Sequence, residues 1–109
     1  MKLDALINEL GLVPIQVDES AEIEVKSAYC GDLLSDVLAH CEPDAVWFTV
    51  QGHINVVAVA ELRDAACVVI VNGVSPDPQA VAKAQLHGVA LLGSEESSAA
   101  LCMRLAGKL

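Results

Sequence analysis

The stretch Cys67-Val68-Val69-Ile70-Val71-Asn72-Gly73, with Ser75-Pro76-Asp77-Pro78 close behind, decides the fold. Four consecutive β-branched apolar residues followed by turn residues read as a strand buried on both faces. A central strand of a parallel sheet has that pattern. Asn72 and Gly73 stop the strand. Asp77 then suits a helix cap and Pro78 the first helical position. The centre of the chain is thus a strand–loop–helix unit, and similar units are expected on either side.

Downstream, a helix over 78–87 is closed by Gly88, a short strand covers 89–92, and a last helix follows with Ser94 as its cap. Glu95 and Glu96 in its first turn and Arg104 and Lys108 near its end match the helix dipole. Upstream, residues 54–63 read both as an alternating strand and as a helix. Helix is preferred, because parallel strands at 45–50 and 67–71 need a crossover of that length. Gly31-Asp32 opens a helix whose buried side is Leu33, Leu34, Val37, Leu38 and Cys41. At the N-terminus, Leu3, Leu6, Ile7 and Leu10 make one helical stripe, ended by Gly11. Val13, Ile15 and Val17 alternate into a strand that Pro14 confines to a sheet edge. A turn at 18–21 leads to a second alternating strand with Ile23 and Val25 on one face. These two strands are expected to form an antiparallel hairpin. The whole is a single-domain α/β fold: a mostly parallel sheet with an N-terminal antiparallel edge hairpin and helices on its faces.

A chain of 109 residues is one domain. It is 54% hydrophobic but only 3% aromatic, so the core must be built from Val, Leu, Ile and Ala. No apolar run reaches the roughly 18–20 residues that span a bilayer, and Asp4 stands where a signal peptide would be basic and then apolar. A soluble cytoplasmic protein without membrane contact is expected. The net charge of −9 is uneven. Asp18, Glu19, Glu22, Glu24, Asp32, Asp36, Glu42 and Asp44 face a single base, Lys26, which excludes a phosphate backbone as partner. The run reads as a solvated face or as a docking face for a basic protein. The apolar excess points to a homodimer, with residues 54–60, apolar on more than one side, as its surface.

The familiar catalytic motifs are missing. There is no Gly-x-x-x-x-Gly-Lys-Ser/Thr, no Gly-x-Gly-x-x-Gly and no Gly-x-Ser-x-Gly. Asp32 and Asp36 share a helical face, where acid pairs mostly serve solvation. Cys30, Cys41, Cys67 and Cys102 form no Cys-x-x-Cys pair, so neither metal nor cofactor is expected, and no disulfide. Cys67 and Cys102, the latter on a face with Ala99, Met103 and Ala106, read as small core residues. His40-Cys41 is the one adjacent pair of potential ligands.

One constellation does converge. Open parallel sheets bind ligands beyond the carboxyl ends of their strands. Here those ends carry Gln51, Gly52, His53 and Asn55, then Asn72, Gly73 and Ser75, then Gly93 and Ser94. Glycines let backbone approach a ligand, and the polar side chains add hydrogen bonds. Helices starting near Asp77 and Ser94 would favour an anionic group there, against the net negative charge. Turn chemistry alone also places Gly, Asn and Ser at strand ends.

The run Lys26-Ser27-Ala28-Tyr29-Cys30-Gly31-Asp32-Leu33-Leu34-Ser35-Asp36-Val37 resembles a segment of DRTGG-domain proteins. So do residues 47–60, then Ile70-Val71-Asn72-Gly73 with Pro76-Asp77, and Gly88-Val89-Ala90-Leu91-Leu92. A contiguous Asp-Arg-Thr-Gly-Gly is replaced by Arg63-Asp64 and, further on, Asn72-Gly73. The resemblance is closest to small stand-alone members associated with iron-only hydrogenase systems of anaerobes. It implies an α/β regulatory or interaction domain, similar to the amino-terminal domain of HPr kinase/phosphorylase, whose catalytic machinery lies in a separate domain. It also implies dimerisation and company with nucleotide-sensing CBS domains, and it transfers no catalytic residue. Two readings follow. One is a non-enzymatic regulatory module that docks on a protein or senses a small molecule. The other is a metal or redox accessory, or an enzyme, using His53, His40 and the cysteines.

Overall fold

The computed structural model describes residues 1–18 and 22–109. The elements run α1 (Leu3–Leu10), β1 (Val13–Gln16), β2 (Ser27–Cys30), α2 (Leu34–His40), β3 (Ala45–Thr49), α3 (Ile54–Leu62), β4 (Cys67–Ile70), α4 (Pro78–His87), β5 (Leu91–Gly93) and α5 (Ser98–Leu105). One five-stranded sheet has the order β1-β5-β4-β3-β2. β2 to β5 are parallel, and β1 joins β5 antiparallel.

β3 and β4 are buried along their whole length, as the run of β-branched residues requires. Their side chains alternate between two cores. Val46, Phe48, Cys67 and Val69 point to the face covered by Leu6 and Leu10 of α1 and Leu101 and Leu105 of α5. Ala45, Trp47, Val68 and Ile70 point to the face covered by Val37 of α2, Val56, Val57 and Ala60 of α3, and Ala80 and Ala84 of α4. From β2 to β5 the sheet always grows in the same direction. Crossovers of one hand therefore place α2, α3 and α4 on the same face, and the two terminal helices must close the other.

The segment 54–63, ambiguous in the sequence, is helix α3, and it is apolar nearly all round because it is buried. It packs between α2 and α4 against the sheet, with Val56, Val57, Val59 and Ala60 enclosed. The same burial corrects the expectation that residues 54–60 form a dimer surface: most of it is already covered by this chain.

The N-terminal edge strand is antiparallel as expected, but not as half of a hairpin. β1 and β2 sit at opposite edges of the sheet, and β1 pairs with β5. The alternating residues 23–25 pair with the chain's own start. Leu3 N donates to Ile23 O at 2.9 Å and Val25 N to Met1 O at 2.7 Å. Alternation had identified the buried face (Val25 is fully enclosed) but carries no information about the hydrogen-bonding partner. Apart from Asp18, the turn expected at 18–21 lies outside the described residues.

Two helix starts also differ. α2 begins at Leu34, and of its expected apolar side only Val37 and the following Cys41 are fully buried, while Leu33 and Leu38 are exposed. α5 begins at Ser98 and is capped by Ser97, whose Oγ accepts from Ala100 N at 3.1 Å. Ser94 instead accepts from Glu96 N at 3.0 Å in a local turn. Cys67 is core, but Cys102 is only half-buried, and its neighbour Met103 is exposed.

Because α5 is held on the sheet mainly by Leu101 and Leu105, Leu101→Ala should lower unfolding stability by about 2–5 kcal/mol. Urea denaturation measures this, and a loss below about 1 kcal/mol would mean that α5 is not packed as described.

Candidate functional site

The loop after β4 leads to α4 on one face of the sheet, and the loop after the adjacent β5 leads to α5 on the other. Neighbouring loops that leave in opposite directions open a crevice between them, the general cause of ligand sites at the carboxyl ends of open sheets. A shallow cavity of about 270 Å³ lies there, lined by Val13, Ile15, Gly73, Val74, Ser75, Pro76, Gly93, Ser94 and Glu95.

Its floor is continuous backbone pairing beyond the strand ends. Ser94 N donates to Ile70 O at 3.0 Å, Gly73 N to Ser94 O at 2.9 Å, and Asn72 N to Glu96 O at 3.0 Å. Val74 N closes a turn on Val71 O at 3.2 Å, with Asn72 and Gly73 both left-handed at φ 58° and 68°, a geometry that Asn-Gly adopts readily. Any Cβ on Gly73 would also collide with the Glu95 carboxylate. Gly52 is required for a different reason: a Cβ there would stand 3.0 Å from Ser75 O and 3.1 Å from Pro76 Cα, so the loops after β3 and β4 touch only because Gly52 has none. Asp77 N donates to Gly52 O at 2.9 Å and fastens them.

Of the nine residues singled out in the sequence, Gly73, Ser75, Gly93 and Ser94 line the cavity. Gln51, Gly52, His53, Asn55 and Asn72 do not. Gln51 Nε2 donates to Asp32 O at 2.9 Å. His53 caps α3, its Nδ1 accepting from Asn55 N at 3.1 Å. Val13, Ile15, Val74, Pro76 and Glu95 were missed. Val13 and Ile15 become visible only once β1 is known to neighbour β5, and Glu95 was expected inside α5. The anionic preference expected from two helix starts weakens accordingly. α5 begins beyond the cavity, Asp77 makes no side-chain cap bond, and Glu95 puts a carboxylate in the lining.

Beside the crevice, the ends of β2 and β3 are joined by a polar junction. Asp32 Oδ1 accepts from the buried Thr49 hydroxyl at 2.9 Å and from Val50 N at 2.8 Å. Trp47 Nε1 donates to Gly31 O at 2.9 Å. Asp32 therefore precedes α2 and does not share a helical face with Asp36, which accepts from the Tyr29 hydroxyl. Glu22 pairs with Lys2 at 2.8 Å, Glu24 with the N-terminal amine at 3.1 Å and Asp44 with Lys26 at 3.5 Å.

The histidines and cysteines of the alternative reading are not brought together as a set. His40 Nδ1 lies 3.2 Å from Asp36 Oδ1 on an exposed helix surface, whereas Cys41 is buried. Burial pushes the Cys41 thiol up, and the Cys67 thiol to about 12. Among the described residues no group of three or more His, Cys, Asp or Glu is placed to hold a metal ion. One pair does meet: Cys30 Sγ and Cys102 Sγ are 3.0 Å apart. No helix of the described residues is long and apolar enough to cross a membrane. A larger cavity of about 380 Å³ beside α1, among Leu3, Ile7, Pro14, Val17 and Ile23 with Lys2, Asp4, Asp18 and Glu22, contains none of the nine candidate ligand residues.

Comparison with protein-family models finds no match, and comparison with curated proteins finds none either. Among solved structures, the CBS and DRTGG domains of the regulatory region of Clostridium perfringens pyrophosphatase, complexed with the activator diadenosine tetraphosphate, match 98% of this chain with a TM-score of 0.77 and 10% identity. The match spans 46% of that solved chain's length. What is shared is the fold, a DRTGG-like α/β domain, in agreement with the resemblance read from the residues.

The hydrogen bond to Asp36, and secondarily burial, raises Tyr29 to about 12 from an ordinary value near 10. For a phenol raised in the folded state, the stabilisation is complete below about pH 10 and is lost as pH rises through about 12. Tyr29 is the only tyrosine, so phenolate absorbance reports it alone. A midpoint near 12 that falls towards 10 in Asp36→Ala is expected; a midpoint of 10 in the unaltered protein would contradict the contact.

Proposed function

We propose that this chain is a non-enzymatic regulatory module that senses a small molecule in the crevice between the β4 and β5 loops. The observation that carries this reading is the divergence of those two loops to opposite faces above a backbone floor. The lining supports recognition more than chemistry. Val13, Ile15, Val74 and Pro76 offer an apolar wall, and Ser75, Ser94 and Glu95 offer polar contacts. Meanwhile the groups most able to catalyse are engaged elsewhere: His53 caps a helix and Asp32 holds the end of β3. Glu95 and the net charge of −9 disfavour a polyphosphate and favour a neutral or cationic ligand with an apolar body. The solved neighbour is a regulatory region complexed with a nucleotide activator, which supports a sensing role and makes adenine nucleotides the natural counter-test.

The test is a chemical-shift titration of the labelled protein with adenine nucleotides, diadenosine tetraphosphate, and a set of small amines and neutral metabolites. A binder should move residues 73–76 and 93–95 first. Saturable shifts confined elsewhere, with those residues unmoved, would place the site outside the crevice.

The reading extends to partners. The DRTGG resemblance brings homodimerisation and a protein partner, with a redox system of anaerobes built on an iron-only hydrogenase as the association it names. With most of residues 54–60 covered by this chain, the exposed apolar surface left for self-association includes Leu62 and Leu86, which flank the 2.9 Å contact between Glu61 and His87. Light scattering at micromolar concentration should give about twice the 11.4 kDa chain mass, and Leu62→Lys with Leu86→Lys should return it to the monomer. A monomer in the unaltered protein would remove the dimer from the account.

A further inference from the structure

Four cysteines are present, and the fold treats them in two ways. Cys41 and Cys67 are fully enclosed, in different cores. Cys30 and Cys102, 72 positions apart, are brought to a 3.0 Å sulfur–sulfur contact in which one thiol donates to the other. Cys30 ends β2 and is exposed, while Cys102 lies half-buried on α5. Small reagents can therefore reach this pair and not the other two. The 3.0 Å contact leaves about 1 Å to close to the bonded separation of about 2.05 Å.

We propose that Cys30 and Cys102 are a dithiol modification site, converted to an internal disulfide by a low-molecular-weight disulfide and restored by thiols. Two exchanges accomplish it. One cysteine sulfur attacks R–S–S–R, forming a mixed disulfide and expelling one thiolate, which takes up a proton. The second cysteine sulfur attacks the first, forming the Cys30–Cys102 bond and expelling the other R–S group as a second thiol. Two electrons and two protons pass from the pair to the oxidant, and no further co-reactant is needed. The bond ties the open edge of the sheet, at β2, to the helix that closes one face. A cross-link over so long a loop restricts the unfolded chain strongly.

Burial, and then the Cys102 contact, push the Cys30 thiol up to about 12. Its thiolate is scarce at neutral pH, so attack by Cys30 is slow. The site does not depend on the crevice reading, and its test involves no crevice ligand.

The experiment incubates the reduced, full-length chain with an excess of oxidised glutathione at about pH 8 until the product is constant. Expected are loss of two of the four thiols, a mass lower by about 2 Da with no glutathione adduct, and a linked peptide pair containing residues 30 and 102. The melting temperature should rise by about 10 °C and return with dithiothreitol. Cys30→Ser and Cys102→Ser, both outside the fully buried core, should each abolish the linkage and the melting shift. Four titratable thiols after full incubation, a stable adduct on either cysteine, or a bond between two chains would each overturn the proposal.

Discussion

Everything in this structure follows from one constraint: β4 cannot face water on either side. Val68 and Ile70 on one face and Cys67 and Val69 on the other are all fully enclosed, and β3 beside it is in the same position. Taking such side chains out of water is worth about 1.5–3 kcal/mol each, so both faces must be covered. Three crossover helices can cover only one face, because each parallel step moves the sheet the same way. The remaining face falls to α1 and α5. That division forces the chain to leave β5 in the direction opposite to its exit from β4, and the crevice is the consequence.

The polar groups at the strand ends are consumed in holding this arrangement. Asp32 ties β2 to β3, Gly52 and Asp77 tie the loops after β3 and β4, and Asn72 and Gly73 tie those after β4 and β5. Arg104 bonds both Glu96 and the carbonyl of Glu9, linking the crevice loop to α1. Among the described residues no buried side-chain nitrogen or oxygen lacks a partner. What faces the cavity is small side chains, apolar wall and one carboxylate. On the proposed reading, that surface selects a ligand by shape and a few contacts.

Much of the architecture was legible because it rests on local patterns. The run of Val68 to Val71 announced a two-faced strand, Pro78 and Gly88 bracketed α4, and crossover length resolved α3 against its own alternation. What was not legible depends on partners remote in sequence. Ile23 and Val25 alternate like a strand of a hairpin, yet their hydrogen bonds go to Met1 and Leu3. Ser94 was expected to cap α5, and the pairing of Asn72 with Glu96 shows why the helix waits for Ser97. The crevice was half-legible for the same reason. Gly73, Ser75, Gly93 and Ser94 are strand-end residues, whereas Val13 and Ile15 enter it through an edge pairing that no local signal encodes. The contact of Cys30 with Cys102 is likewise a product of topology.

Amide hydrogen exchange across the described residues tests the central claim most directly. The account predicts the slowest exchange at Val68, Val69 and Ile70, and marked protection at Asn72 and Gly73 although they lie beyond the strand, because their N–H groups donate to Glu96 and Ser94 across the crevice floor. Exchange at Asn72 and Gly73 at the rate of an open loop, or at β4 as fast as at the edge strand β2, would contradict it.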